Sequence, residues 1–122
     1  MFKVLIVEDH RSFREVLKDC LSDESLSVVL EYAANGREAM EKVDSSPPDL
    51  VLMDIRLPDM SGLELTKKIK ENHPNTVVVI LTSYDFAEYR ELATSYGAKS
   101  FLCKGDTNKK DLLALIKSLR SH

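Results

Sequence analysis

The chain has 122 residues, 43% of them hydrophobic and 30% charged, with a formal net charge of −3. That length and balance describe one soluble globular domain able to bury a sizeable core. The slight acidity gives no basic footprint for direct nucleic-acid binding, and no apolar run approaches the roughly 18 residues of a membrane span. The lysine pairs Lys67–Lys68 and Lys109–Lys110 read as solvated helix faces. Cys20 and Cys103 read as small buried thiols in a reducing compartment. The opening MFKVLIVED carries neither a charged leader nor a cleavage site, so the cytoplasm is the expected location.

Phe2–Val7 is an apolar run broken only by Lys3, and it predicts a buried strand ending in Glu8 and Asp9. Phe13, Val16, Leu17, Cys20 and Leu21 then repeat at helical spacing, with Ser12 and Glu15 placed as a capping box. Residues 27–33 alternate imperfectly, as an edge strand does. Asn35 and Glu38 are set to cap a short helix carrying Ala39, Met40 and Val43, which ends at Pro47–Pro48.

Leu50–Met53 is short and wholly apolar, and it stops at a single carboxylate, Asp54, before a turn with Pro58 and Gly62. It predicts a central strand. Asp59, on that turn, reads as solvated. Ser61 and Glu64 are set to cap a third helix with Leu65 and Ile69 facing the sheet. Residues 76–81 are the most β-branched run and end at Thr82. Asp85 and Glu88 are placed to cap a fourth helix with the stripe Tyr89, Leu92, Ala93 and Tyr96, closed by Gly97. Residues 99–103 predict a last strand ending at Lys104. Leu112, Leu115, Ile116 and Leu119 mark the final helix, opened by Asp106, Thr107 or Asn108.

Five strands alternating with five helices predict an α/β domain, with a parallel sheet covered on both faces, filling residues 1–122. Parallel strands share one rim at their C-terminal ends, where open sheets bind ligands. Glu8, Asp9, Asp54, Thr82 and Lys104 all fall at that rim. Three carboxylates together repel one another, and a hard cation such as Mg²⁺ relieves them. Asp54 can then stay ionised and attack phosphorus, giving an aspartyl phosphate. Lys104 and the Thr82 hydroxyl are suited to the phosphoryl oxygens. His10 reads as a surface residue near the site.

In VLIVEDH, LVLMDIRLPDMSGLEL, VVVILTS and GAKSFLCK the chain resembles the receiver domain of two-component response regulators, over Phe2 to about Leu119. VEDHRSFRE is similar to receivers that precede helix-turn-helix DNA-binding domains. The resemblance implies a flavodoxin-like fold, strand order 2-1-3-4-5. It implies phosphorylation of Asp54 by a sensor histidine kinase or phosphotransfer protein. It further implies Mg²⁺, with Mn²⁺ as a substitute, on Glu8, Asp9, Asp54 and the Arg56 carbonyl, Asp9 more directly than Glu8. Lys104 pairs with a phosphoryl oxygen, Thr82 shifts toward the phosphoryl group, and the rotamer of Phe101 follows. Arg56 and Tyr84 flank the path of attacking water, which implies slow self-dephosphorylation. The fourth helix, last strand and last helix form the readout face toward an effector or an output domain outside this chain, with a homodimer as one response to phosphorylation.

Gly105 stands where receivers usually carry a proline, commonly after a cis peptide, and a cis non-proline bond costs about 2.5–4 kcal/mol. Ser83 stands where alanine is frequent, which keeps the site accessible. Two other functions fit an aspartate at such a rim. One is a phosphatase or phosphotransferase acting through Asp54; enzymes of the haloacid-dehalogenase type place an acid two residues on, and Arg56 stands there. The other is a degenerate receiver that only binds proteins, which the intact acidic pair, Thr82 and Lys104 argue against.

Overall fold

The computed structural model describes residues 1–23 and 26–121. In chain order the elements are β1 (Phe2–Val7), α1 (Arg11–Leu21), β2 (Val28–Ala33), α2 (Gly36–Ser45), β3 (Leu50–Met53), α3 (Gly62–Asn72), β4 (Val77–Thr82), α4 (Ala87–Ser95), β5 (Ser100–Cys103) and α5 (Lys109–Arg120). Every strand pairing is parallel, in the order β2-β1-β3-β4-β5. No helix among the described residues is long and apolar enough to cross a membrane.

The unbroken apolar runs follow from burial on both faces of the sheet. Val4 and Ile6 of β1, Leu50 and Leu52 of β3, and Val79 and Leu81 of β4 pack with Leu17, Leu21, Leu112 and Ile116 of α1 and α5. The intervening residues Leu5, Val7, Val51, Met53, Val78 and Ile80 pack on the other side with Ala39, Val43, Leu65, Ile69 and Ala93 of α2, α3 and α4. The imperfect alternation near residue 28 belongs to β2, which is an edge strand as expected.

Register delivers the rim. Val7 pairs with Met53, Met53 with Ile80, and Ile80 with Phe101. Glu8 and Asp54 therefore leave the sheet side by side. The Asp54 N–H donates to the Val7 carbonyl at 3.1 Å, and the Lys104 N–H to the Thr82 carbonyl at 2.9 Å.

Caps differ from expectation at two helices. His10 is the N-cap of α1 and makes no side-chain cap bond, so Ser12 lies inside the helix and the box with Glu15 does not form. The chain turns helical directly after the acids, and the His10 carbonyl already accepts from Arg14 N–H at 3.1 Å. At α4 the N-cap is Phe86, again without a side-chain cap bond. The Asp85 carboxylate is taken instead by Arg90 at 2.5 Å. Leu92 of the predicted α4 stripe is 40% exposed, and Ala93 is the only buried residue of that helix.

The remaining caps behave as read. Asn35 Oδ1 accepts from Glu38 N–H at 2.8 Å, and Asn108 Oδ1 from Asp111 N–H at 2.8 Å. Ser61 Oγ accepts from Leu63 N–H at 3.1 Å, one residue short of the expected partner Glu64. Gly97, at φ +101°, ends α4 in a left-handed turn. The Gly97 and Ala98 N–H groups return to the Thr94 and Ala93 carbonyls at 3.1 and 2.9 Å, a Schellman closure. Both cysteines are free and half-buried, less enclosed than expected.

Gly62 opens α3 directly against the end of β3. A Cβ there would lie 1.9 Å from the Asp54 carbonyl oxygen and 3.0 Å from Ile55 Cα. Because these are backbone atoms, no rotamer change relieves the clash. Gly62→Ala is expected to destabilise the protein by at least the ~1–3 kcal/mol of ordinary overpacking. Gly105→Ala, with nothing within 4 Å of the added atom, is expected to stay within about 0.5 kcal/mol of the parent. Urea denaturation of the two variants checks the contrast; equal midpoints would refute it.

Candidate functional site

Three strand ends build the site. Glu8 and Asp9 follow β1, Asp54 follows β3, and Lys104 follows β5. Lys104 Nζ bridges the first two elements, donating to Glu8 Oε1 at 2.5 Å and to Asp54 Oδ2 at 3.2 Å. Glu8 and Asp54 are 2% and 4% exposed, so both charges are held out of water. Burial alone would lower the affinity of the Lys104 amine for its proton. The hydrogen bond to Glu8 and the negative charge of Asp54 outweigh it and hold the ammonium above its ordinary pKa. Asp54 Oδ1 is fixed separately by the Ile55 N–H at 2.8 Å.

Carboxylate oxygens of Glu8, Asp9 and Asp54, with the His10 imidazole, lie within 4.8 Å of one another. Asp9 Oδ1 is buried and has no hydrogen-bond partner. Such an orphaned oxygen, beside two more carboxylates, is costly unless a cation faces it. A pocket of hard oxygen donors fits a divalent ion such as Mg²⁺.

The other expected residues stand around this pocket. Thr82 ends β4 fully buried, and its Oγ1 accepts from Tyr84 N–H at 3.3 Å. It makes no bond to the carboxylates among the described residues. Arg56 follows two residues after Asp54, in a loop closed by an antiparallel bridge to Ser61. Its guanidinium stacks 4.2 Å from the centroid of the Tyr84 ring. Phe101, half-buried on edge strand β5, has the Arg90 guanidinium 4.7 Å from its ring centroid. Among the described residues no peptide bond is cis, so Lys104–Gly105 is trans.

Several contacts around the site escaped the sequence reading, although His10 stands at the surface beside the pocket as expected. His10 Nδ1 approaches Glu8 Oε2 at 3.2 Å. Arg14 Nη1 donates to the Glu8 carbonyl at 2.7 Å and the Asp9 carbonyl at 3.2 Å, holding the acidic pair in place. Phe13, read as a core residue of α1, also places its ring centroid 4.2 Å from Lys104 Nζ. Asp59 is exposed, as read, and its two oxygens also accept from the Gly36 and Arg37 N–H groups at 2.8 and 2.9 Å. Those bonds hold its carboxyl below the ordinary range. They also tie the loop after Asp54 to the start of α2. Only Phe13 and Arg14, in the first turn of the helix that follows the acids, had a signal in the spacing.

Removing the ammonium would leave buried carboxylates without a counter-charge. Lys104→Ala is expected to cost about 3–5 kcal/mol of stability in metal-free protein, the usual effect of breaking a buried ion pair from one side. Millimolar MgCl₂ is expected to restore part of that loss by binding only the folded pocket. Denaturation curves in chelator and in MgCl₂ measure both effects. An unchanged midpoint in chelator would show that Lys104 is not the counter-charge.

Known proteins place the chain in a family. Residues 4–117 match the sequence profile described as the response regulator receiver domain. The transcriptional regulatory protein YdfI of Bacillus subtilis is 41% identical over 112 residues, covering 92% of this chain and 52% of that protein. A protein-glutamate methylesterase/protein-glutamine glutaminase of Geobacillus kaustophilus is 40% identical over 103 residues, 84% of this chain and 30% of that protein. A crystal structure of a CheY-like response regulator receiver domain protein from Methanospirillum hungatei superposes with a TM-score of 0.91 at 31% identity, covering 99% of this chain and 95% of that one. The chain thus spans about half the length of YdfI and less of the methylesterase. It belongs to the response regulator receiver domain family, the signalling domains of two-component phosphorelays that work with histidine kinases and output domains and bind Mg²⁺ in an acidic pocket.

Proposed function

We propose that Asp54 accepts the phosphoryl group of a phosphohistidine on a sensor histidine kinase or phosphotransfer protein. The observation that carries this reading is the Lys104 ammonium shared between Glu8 and Asp54, residues 96 and 50 positions away in the chain. In the transfer an Asp54 carboxylate oxygen attacks phosphorus, the P–N bond breaks, and its electron pair leaves with the imidazole. Lys104, 3.2 Å from Asp54 Oδ2, is placed to follow the new negative charge. The Thr82 hydroxyl exchanges its backbone contact for a phosphoryl oxygen. The carboxylates of Glu8, Asp9 and Asp54, Asp9 more directly than Glu8, and the Arg56 carbonyl are the residues that would hold Mg²⁺ or, as a substitute, Mn²⁺. When bound, the ion neutralises charge on the phosphoryl oxygens.

The modified state biases an existing equilibrium rather than driving turnover, so the domain acts as a switch and not as an enzyme. Thr82 and Phe101 carry the change to the face of α4, β5 and α5. The weak anchoring of α4 through Ala93 and the contact of Arg90 with Phe101 support this direction. Glu88, Arg90, Glu91, Lys109 and Lys117 would present the result to an output partner. In this reading residues 1–122 form the receiver module of a cytoplasmic regulator. A DNA-binding output domain lies outside this chain, and phosphorylation favours a homodimer. The domain itself contacts neither nucleic acid nor membrane.

Acetyl phosphate with Mg²⁺ tests the acceptor. One acid-stable, base-labile phosphoryl adduct per chain, absent from Asp54→Asn, is expected by mass spectrometry. Repeated turnover would favour a phosphatase, and no adduct would favour a protein-binding pseudo-receiver.

The stacked Arg56 and Tyr84 side chains support slow loss of the phosphoryl group by shielding Asp54 from water. A contact of this kind contributes ~0.5–1 kcal/mol, so Tyr84→Ala is expected to shorten the phosphoryl lifetime at least about twofold. An unchanged lifetime would count against shielding by Tyr84.

A further inference from the structure

We infer that His10 Nδ1 is a ligand to the divalent ion of the acidic pocket, and that it turns the pocket's preference from Mg²⁺ toward ions of the Mn²⁺-to-Ni²⁺ series that accept imidazole. The inference rests on the reading of that pocket as a metal site and adds a nitrogen donor to it.

Nδ1 lies 3.2 Å from Glu8 Oε2 and 3.3 Å from Asp9 Oδ1. Adjacent donors on one octahedral ion with bonds of about 2.1 Å stand roughly 3 Å apart. Both separations match that edge, and an oxygen of Asp54 completes a group within 4.8 Å. Asp9 Oδ1 is a buried oxygen that has no hydrogen-bond partner although a ring nitrogen stands 3.3 Å away. The ring nitrogen and the carboxylate oxygens thus form one compact donor group.

The ring is available for this role. Its Nδ1 pairs with Glu8 Oε2, but the His10 backbone N–H already donates to the same oxygen at 3.1 Å. The segment therefore keeps its place when Nδ1 turns to a cation. The side chain is 71% exposed, so solvent can hydrate a protonated Nε2 while a bare Nδ1 faces the carboxylates, and among the described residues Nε2 has no protein partner to give up. Carboxylate and water suffice for Mg²⁺, which gains little from a nitrogen. Imidazole raises affinity along the series toward Ni²⁺.

The test uses untagged protein in a His73→Asn background, because His73 Nε2 pairs with Asp44 at 2.8 Å and offers a competing surface site. MgCl₂ and NiCl₂ are titrated calorimetrically, and the Mn²⁺-loaded protein is examined by pulsed electron paramagnetic resonance for nitrogen coupling. Ni²⁺ is expected to bind more tightly than Mg²⁺. His10→Asn is expected to weaken Ni²⁺ at least about tenfold, the lower end of what loss of even an outer partner of a metal site costs. It should weaken Mg²⁺ by a smaller factor than Ni²⁺ and abolish the nitrogen signal. If metals bind and Asp9→Asn weakens them, but Ni²⁺ affinity and the nitrogen signal survive His10→Asn, the ligand role falls and the acidic pocket stands. If the parent binds no ion, or Asp9→Asn changes nothing, the metal-site reading falls and the ligand role with it.

Discussion

Glu8 and Asp54 leave neighbouring strands side by side, and the fold withdraws both carboxylates from water. Two charges about 4 Å apart interact by about 4 kcal/mol at an effective dielectric near 20, and the desolvation of each adds several more. Lys104, arriving from the far edge of the sheet, supplies one positive charge between them. Asp9 brings a third carboxylate to the same place. One ammonium against three carboxylates leaves the pocket short of positive charge. A divalent cation is the kind of species that relieves such an imbalance.

The surroundings of this pocket are unequal in stiffness. On the α2 side, Asp59 clamps the loop after Asp54 to two backbone N–H groups, and Gly36 lies so close to Met60 that an added Cβ would meet its Sδ at 2.6 Å. On the α4 side a single buried alanine anchors the helix, Phe86 is 51% exposed, and no side chain caps the N-terminus. A disturbance at Asp54 finds its least resistance toward α4. Local stability of this kind decides which parts of a domain move.

Most of the architecture was legible because parallel strands buried on both faces leave continuous apolar runs, and these runs end abruptly at polar residues. Leu50–Met53 before Asp54 is the clearest instance. The rim followed from the strand ends alone, which is why Glu8, Asp54 and Lys104 could be grouped before any distance was known. Caps were less legible. Ser12 and Asp85 satisfy local rules, but the helices start where tertiary contacts set them, and Arg90 claims the Asp85 side chain. The bonds of Asp59 were hidden for a related reason, although it stays exposed as read: its partners come from the approach of backbone segments. Asp59 meets the start of α2, more than 20 residues away, in a way no periodicity encodes. Asp9 Oδ1 could not be recognised as orphaned until its neighbours were located.

The bare backbone at Gly62 sets a limit on how this site can diversify. Helix α3 begins against the carbonyl of Asp54 itself, so the helix and that carbonyl form one mechanical unit. Exposed positions between Asp54 and α3, such as Arg56, can change in kind, but a longer or shorter span would have to be absorbed without moving the first turn of α3 off its seat. Side-chain chemistry around Asp54 can therefore vary more cheaply than the length of the chain that joins it to α3.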